Sequence, residues 1–240
     1  MPLTPAPTPA TSPAPLWIRA QAWLAGQWSL GSPRRAARLL HGFARTEQQS
    51  QLELRQAARA CPDDRRRARY LRHALDEARH AHAFAEHAQE LARAANALGF
   101  PQPSARSEDL YDRLGEVRFL AFVHAGERRG RIEFETYARL LRRRGADALA
   151  ALFEGLVRDE RQHEAYSAQL LEELAGAAGA RSALRWVTRW EAWRSFRRRG
   201  RALAGALYRV TMLLIYVALA PVGLALRLTA KPSRGFARDS

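Results

Sequence analysis

Leu75-Asp76-Glu77-Ala78-Arg79-His80 and Arg158-Asp159-Glu160-Arg161-Gln162-His163 decide how this chain is read. Both contain Asp-Glu-x-x-His, and a Glu and a His three residues apart leave a helix on the same face, about one turn from each other. Such a pair can grip one ion from one helix. Two copies on two helices need two further glutamates at the same height, from two other helices, to enclose a pair of ions inside a bundle.

The flanking sequence supplies them. Ser32-Pro33 is a helix start, a side-chain acceptor at the cap followed by a proline at the first helical position. A helical pattern follows to Ala60, and Cys61-Pro62-Asp63-Asp64 ends that helix and begins a second, expected to reach about Leu98 before Gly99 and two prolines. A third helix is expected from Ser107-Glu108-Asp109 to Arg144. A fourth should run from Asp147 to Ala175, between a turn at Gly145 and the Gly-rich stretch that starts at Gly176. Antiparallel neighbours joined by a tight turn bring residues equidistant from that turn to one height. Glu47 lies fifteen residues before Pro62 and Glu77 fifteen after it, and the midpoint of Glu127 and Glu160 falls at Arg143-Arg144, beside Gly145. Each half therefore sets a Glu opposite a Glu-x-x-His. Around Glu127, residues Leu120, His124, Phe134, Ala138 and Leu141 form a mainly apolar stripe with Arg131 as the exception. A carboxylate there is costly unless it meets a cation.

Composition sets the frame. At 240 residues, 47% of them hydrophobic, with Ala, Leu and Arg prominent and Gly and Pro between long periodic runs, the chain is expected to be all-α. That length suits one domain with appended segments. The single cysteine, Cys61, excludes an internal disulfide and any Cys-rich zinc or iron–sulfur site, and a reducing compartment is the simplest home. The net charge of +15 is uneven, because thirteen Arg and Lys stand against two acids from Arg181 onward.

The domain reading follows. Residues 1–31 are an irregular segment, of which Met1 to Pro15 lacks the basic start and apolar centre of a secretory signal and is expected to be disordered. Leu16 to Leu30, with Trp17, Trp23 and Trp28, belongs either on the bundle or at a membrane surface. Residues 32–179 form the four-helix bundle. Residues 180–201 form a basic helix with Trp186, Trp190 and Trp193 at helical spacing, the pattern of an interfacial helix. Residues 202–228 are read as a single membrane helix, since Val210 to Leu226 carries no charge over seventeen residues and Arg209 can snorkel toward headgroups. Pro221 and Gly223 leave a re-entrant hairpin or a buried fifth bundle helix as competitors. Residues 229–240 are a basic tail. Seven Arg before the apolar run against four Lys and Arg after it place the bundle on the cytoplasmic side.

The residues resemble the ferritin-like di-iron carboxylate superfamily over about Pro33 to Gly176. The local likeness is to rubrerythrins and to the demethoxyubiquinone hydroxylases. His124-Ala125-Gly126-Glu127 is similar to the His-Ala-Gly-Glu of the quinone hydroxylases. Ala125-Gly126-Glu127, with Tyr137 following and thirty-three residues to the next Glu-x-x-His, is similar to half of a rubrerythrin. The resemblance implies Glu47, Glu77, His80, Glu127, Glu160 and His163 as metal ligands. Glu53 competes with Glu47, and Glu133 and Glu135 compete with Glu127. Asp76 and Asp159 are either partners that orient a ligand histidine or exposed acids. His73 and His87 are expected as polar lining or surface residues, and Tyr137 as a half-buried core residue. Two features depart from rubrerythrins: Gly130 stands where they carry a second glutamate, and one cysteine cannot build a rubredoxin module.

The resemblance implies two iron ions, with manganese as the alternative, in a membrane-tethered oxidoreductase: an oxygen-activating hydroxylase or oxidase acting on a membrane-accessible substrate. An iron-oxidising or peroxide-scavenging protein of the rubrerythrin or ferritin kind is the other reading. Expected partners are membrane lipid, dioxygen or peroxide, and an electron donor of unassigned type, and a homodimer is left open. Nucleic acid is disfavoured, because the basic segment abuts an apolar run for which RNA has no use.

Overall fold

The computed structural model describes the backbone of residues 16–229 and the side chains of residues 16–221. Among these the chain is all-helical, in the order α1 (Leu16–Ser29), α2 (Pro33–Ala60), α3 (Asp64–Ala94), α4 (Leu110–Leu114), α5 (Glu116–Arg143) and α6 (Asp147–Thr229). The disordered tail expected before Leu16 and the basic tail expected after Thr229 lie outside the described residues. The chain divides into two compact units, the first ending at Thr188 and the second beginning at Arg189.

Local capping fixes where α2 and α3 begin. The Ser32 hydroxyl accepts from Arg35 N at 3.4 Å ahead of Pro33, and the Asp63 carboxylate accepts from Arg66 N at 2.8 Å. The two helices are antiparallel: Arg34 of α2 donates to the Ala95 carbonyl at the far end of α3, at 3.2 and 3.3 Å. Residues 95–109 then return along α2. Phe100 stacks on His41 at 4.6 Å, and further along the Glu53 carboxylate accepts from the backbone N–H groups of Glu108 and Leu110. This crossing delivers α5 to the end where α3 starts. There Glu116 accepts from Arg66 at 2.8 Å and from the Tyr70 hydroxyl at 2.9 Å. After Gly145, α6 runs back beside α5, held by Arg142 on Glu154 and Arg131 on Glu164.

Two stacks of rings close the interior above and below its middle. Phe84, Phe134 and Phe153 meet with centroids 5.5–5.6 Å apart, with Phe43 and Tyr137 against them. At the other end Tyr70, Tyr111 and Phe119 meet at 5.5–6.3 Å. The first set is tilted and the second edge-on, ring packing that leaves few voids.

Helix boundaries differ from the sequence expectation: α3 ends at Ala94 rather than near Leu98, α4 begins at Leu110 rather than at Ser107, and three larger differences follow. The irregular segment expected over 1–31 is, in its described part, the helix α1, docked on α5 through its small residues Ala22 and Gly26 while Trp17, Trp23, Leu24 and Trp28 stay exposed. The expected third helix is broken at Gly115, whose φ of 73° a residue with a Cβ adopts only with strain, so α4 and α5 separate there. Likewise α6 does not end at Ala175. Gly176 (φ 65°, ψ 167°) kinks it, and helix resumes through Ala180, Ala183 and Val187, all buried. The described residues include one helix long and apolar enough to cross a membrane, by length and composition, and its apolar window is wholly exposed.

The docking of α1 can be tested at one position. A Cβ on Gly26 would lie 2.7 Å from Leu140 Cδ1 and 2.9 Å from the Tyr137 ring. Gly26→Val is therefore expected to lower unfolding stability by about 1–3 kcal/mol. Gly42→Ala, exposed within α2 with nothing near its Cβ, should raise it by about 0.5–1 kcal/mol. Urea titrations of the two variants in detergent check both signs.

Candidate metal centre

Helices α2, α3, α5 and α6 each send acidic or imidazole side chains to one buried place between the two ring stacks. Glu47, Glu77, His80, Glu127, Glu160 and His163 are all buried, at 8% exposure or less. The mirrored spacing about the two turns does bring them to one height. Glu47, Glu77 and His80 form one set of prospective ligand atoms lying within 4.8 Å of one another. His163 Nδ1 is 3.6 Å from Glu77 Oε1 and 3.5 Å from Glu127 Oε2, and His80 Nδ1 is 3.7 Å from Glu160 Oε1. The His80 and His163 ring centroids are 6.0 Å apart.

The two Asp-Glu-x-x-His copies lock one another crosswise. Asp159 Oδ2 lies 3.1 Å from His80 Nε2, and Asp76 Oδ2 lies 3.1 Å from His163 Nε2. Each aspartate thus serves the histidine of the other helix. A carboxylate behind one ring nitrogen accepts its N–H and leaves the other nitrogen a lone pair, which is how metal-ligating histidines are commonly oriented. Both inner nitrogens, His80 Nδ1 and His163 Nδ1, are buried without a hydrogen-bond partner among the described residues, as is Glu77 Oε2. Unpaired buried acceptors pointing at one another are costly, and a cation placed among them removes that cost. The donor set of carboxylate oxygens and imidazole nitrogens suits iron or manganese.

Charge tells the same story. Four buried carboxylates carry −4 if ionised, which two divalent ions would balance. Without ions the cluster retains protons. Burial pushes the Glu47 carboxyl up to about 7, and burial with neighbouring carboxylates holds Glu77 and Glu160 well above the usual range. Glu127 goes the other way: burial opposes its ionisation, but the imidazoles of His73 and His163 outweigh that and hold it low. His163 is correspondingly raised, since Glu127 and Asp76 overcome its burial, whereas burial dominates at His80 and lowers it.

The competing acids are placed elsewhere. Glu53 holds the loop before α4 through two backbone N–H groups. Glu135 pairs with Arg131 at 3.1 Å and Arg161 at 3.0 Å, and Glu133 is half-buried with its carboxyl raised by burial. His87 is partly exposed and pairs with Glu90, and Tyr137 packs among the phenylalanines rather than at the acidic cluster. His124 sets its Nδ1 3.1 Å from the Glu164 carbonyl.

Sequence reasoning missed two groups. Arg131 and Glu164 form a buried ion pair at 2.6 Å, and the odd arginine in the apolar stripe was its signal. His73, expected as lining, is buried in the cluster with Nε2 2.8 Å from Glu77 Oε1, and it sits one turn before Glu77, on the same face as His80. Comparison with protein-family models, with curated proteins and with solved structures gave no significant match.

Two glutamates on α2 should behave in opposite ways. With a chelator present, Glu47→Gln should leave urea stability unchanged or higher, because it removes one of several crowded buried acids. Glu53→Gln should cost about 1–3 kcal/mol, because it weakens the acceptor for two buried N–H groups. A loss of stability at Glu47 would identify it as a structural residue instead.

Proposed function

We propose that this protein is a membrane-tethered, non-haem di-iron oxidoreductase built on a ferritin-like four-helix bundle of α2, α3, α5 and the first part of α6. The observation that carries the reading is the crosswise pair of Asp–His contacts, which turns two otherwise unpartnered inner nitrogens toward four buried carboxylates. A structural ion-pair network would have closed those atoms on each other. Glu47, Glu77, His80, Glu127, Glu160 and His163 would hold two iron ions. Bound there, iron would supply the capacity to take up dioxygen or peroxide and to exchange electrons.

The chain itself does four things around that centre. Asp76 and Asp159 fix which imidazole nitrogen carries the proton. The two ring stacks exclude water. The Arg131–Glu164 pair ties α5 to α6 beside the ligands Glu127 and His163. Gly130 leaves room at one side, since a Cβ there would lie only 3.5 Å from Glu160 Oε2 and any longer side chain would press on that carboxylate. Rubrerythrins fill that position with a further acid. Its absence favours an oxygen-activating hydroxylase or oxidase over a peroxide scavenger, because it leaves one fewer oxygen ligand and a place for a reactant.

The exposed apolar part of α6, preceded by Trp193 and a run of arginines, supports a membrane-accessible substrate. Arg194 lies 4.5 Å over the Trp190 ring, an arrangement suited to phosphate headgroups at an interface. The bundle would face the cytoplasm.

Metal analysis of the detergent-purified chain should find about two irons per chain, and Glu160→Ala should lose most of them. Reduced protein should consume dioxygen only when a lipid-soluble substrate is supplied, yielding a hydroxylated or oxidised product. Ferrous oxidation or peroxide loss at full rate without organic substrate would replace the hydroxylase reading with the iron-handling one. In membranes, the chain should resist high salt and alkaline carbonate and yield only to detergent. Release by salt alone would contradict a spanning helix.

A further inference from the structure

A third imidazole stands where the implied ligand set has none. His73 is 1% exposed and lies one turn before Glu77 on α3. Its Nε2 is 2.8 Å from Glu77 Oε1 and 3.4 Å from Glu127 Oε1, and its ring centroid is 3.7 Å from that of His163. His73, Glu77, Glu127 and His163 each offer one ligand atom, all within 4.8 Å of one another, beside the group of Glu47, Glu77 and His80 with which they share Glu77. The outer nitrogen of His73 is also spoken for: Nδ1 lies 2.5 Å from the Tyr166 hydroxyl on α6.

This repeats the build of the other two histidines. Each ring has one nitrogen held from outside by an oxygen, Asp159 for His80, Asp76 for His163 and Tyr166 for His73, and one nitrogen turned toward the carboxylates. With the proton on Nδ1 and donated to Tyr166, the His73 Nε2 lone pair faces two carboxylate oxygens. That contact is repulsive unless a proton or a cation lies between them. With the proton on Nε2 the ring would instead donate to Glu77 and accept from Tyr166, and it would hold no ion.

We propose that His73 is a seventh protein ligand, so that the two metal positions are chemically unequal. One is faced by two imidazoles, His73 and His163, with Glu127. The other is faced by one, His80, with Glu47 and Glu160, and Glu77 stands between them. The proposal rests on the metal-centre reading above and adds to it. Its consequence is selectivity: imidazole ligands favour later divalent ions, and carboxylates favour manganese, so the imidazole-rich position should prefer iron over manganese more strongly than its neighbour does.

The test uses the full chain in detergent with Co(II), whose paramagnetism displaces ligand resonances. Each ligating imidazole keeps one exchangeable N–H on its outer nitrogen, sheltered by its oxygen partner. The parent loaded with two Co(II) should show three exchangeable, strongly shifted imidazole N–H resonances. Two such resonances would overturn the assignment of His73 while leaving the centre intact. Absence of bound Co(II) in the parent would overturn the underlying reading as well. His73→Ala should retain one tight ion and bind the other at least about 100-fold more weakly, beyond what loss of an outer hydrogen-bonding partner costs. Added imidazole should restore the second ion. Two tight ions in His73→Ala without added imidazole would also overturn the proposal.

Discussion

Burying four carboxylates between four helices is the constraint on which the rest depends. A lone buried carboxylate is costly, and a cluster of them adds mutual repulsion. In this chain the opposition is met by imidazoles on α3 and α6, held in place from behind by Asp76, Asp159 and Tyr166. The arrangement leaves the centre without a proton-rich partner of its own. Glu77 Oε2 and two imidazole nitrogens have no hydrogen-bond partner among the described residues, an arrangement compatible with a bound metal ion.

The scaffold is shaped to keep that centre in register. The Cys61–Asp63 and Arg144–Ala146 turns set the height of the four glutamates, and the crossing of residues 95–109 along α2 lets both helix pairs run antiparallel. Glu53 fastens the crossing by its backbone. Aromatic layers seal the centre at both ends: Phe84, Phe134 and Phe153 toward Gly145, and Tyr70, Tyr111 and Phe119 toward Gly115. Arg131 and Glu164 bind α5 to α6 alongside; loss of Arg131 would leave the buried Glu164 without its cation, whereas loss of Glu164 would leave Arg131 on Glu135. Function, on this account, lies in ligand geometry and exclusion of water.

Much of this was legible in the residues. Equal distances from a turn are a purely geometric signal, so Glu47 and Glu127 could be matched to Glu77 and Glu160 without knowing any contact. Helix interruptions were less legible, because Gly115 and Gly176 break helices through a positive φ, whereas a glycine such as Gly42 stays in mid-helix, and nothing in the sequence tells the two kinds apart. The docking of α1 hid behind its tryptophans: those draw the eye, but the buried face is Ala22 and Gly26, residues too small to register as apolar. The aspartates were legible as partners of a ligand histidine or as exposed acids, but their crosswise pairing was not, because it is made to the other helix and no spacing within one helix shows it. His73, expected as a polar lining or surface residue, proves to be buried in the cluster. A histidine four residues before a glutamate is common on exposed helices, and only the burial of that face separates a lining residue from a surface one.

The central claim is that two ions sit among these side chains. Anomalous scattering at the iron edge from crystals of the iron-loaded chain measures this directly. The account predicts two peaks inside the cluster, one nearer His80 and Glu160, the other nearer His163 and Glu127. A map with no peak there, or with iron only on surface carboxylates, would contradict it.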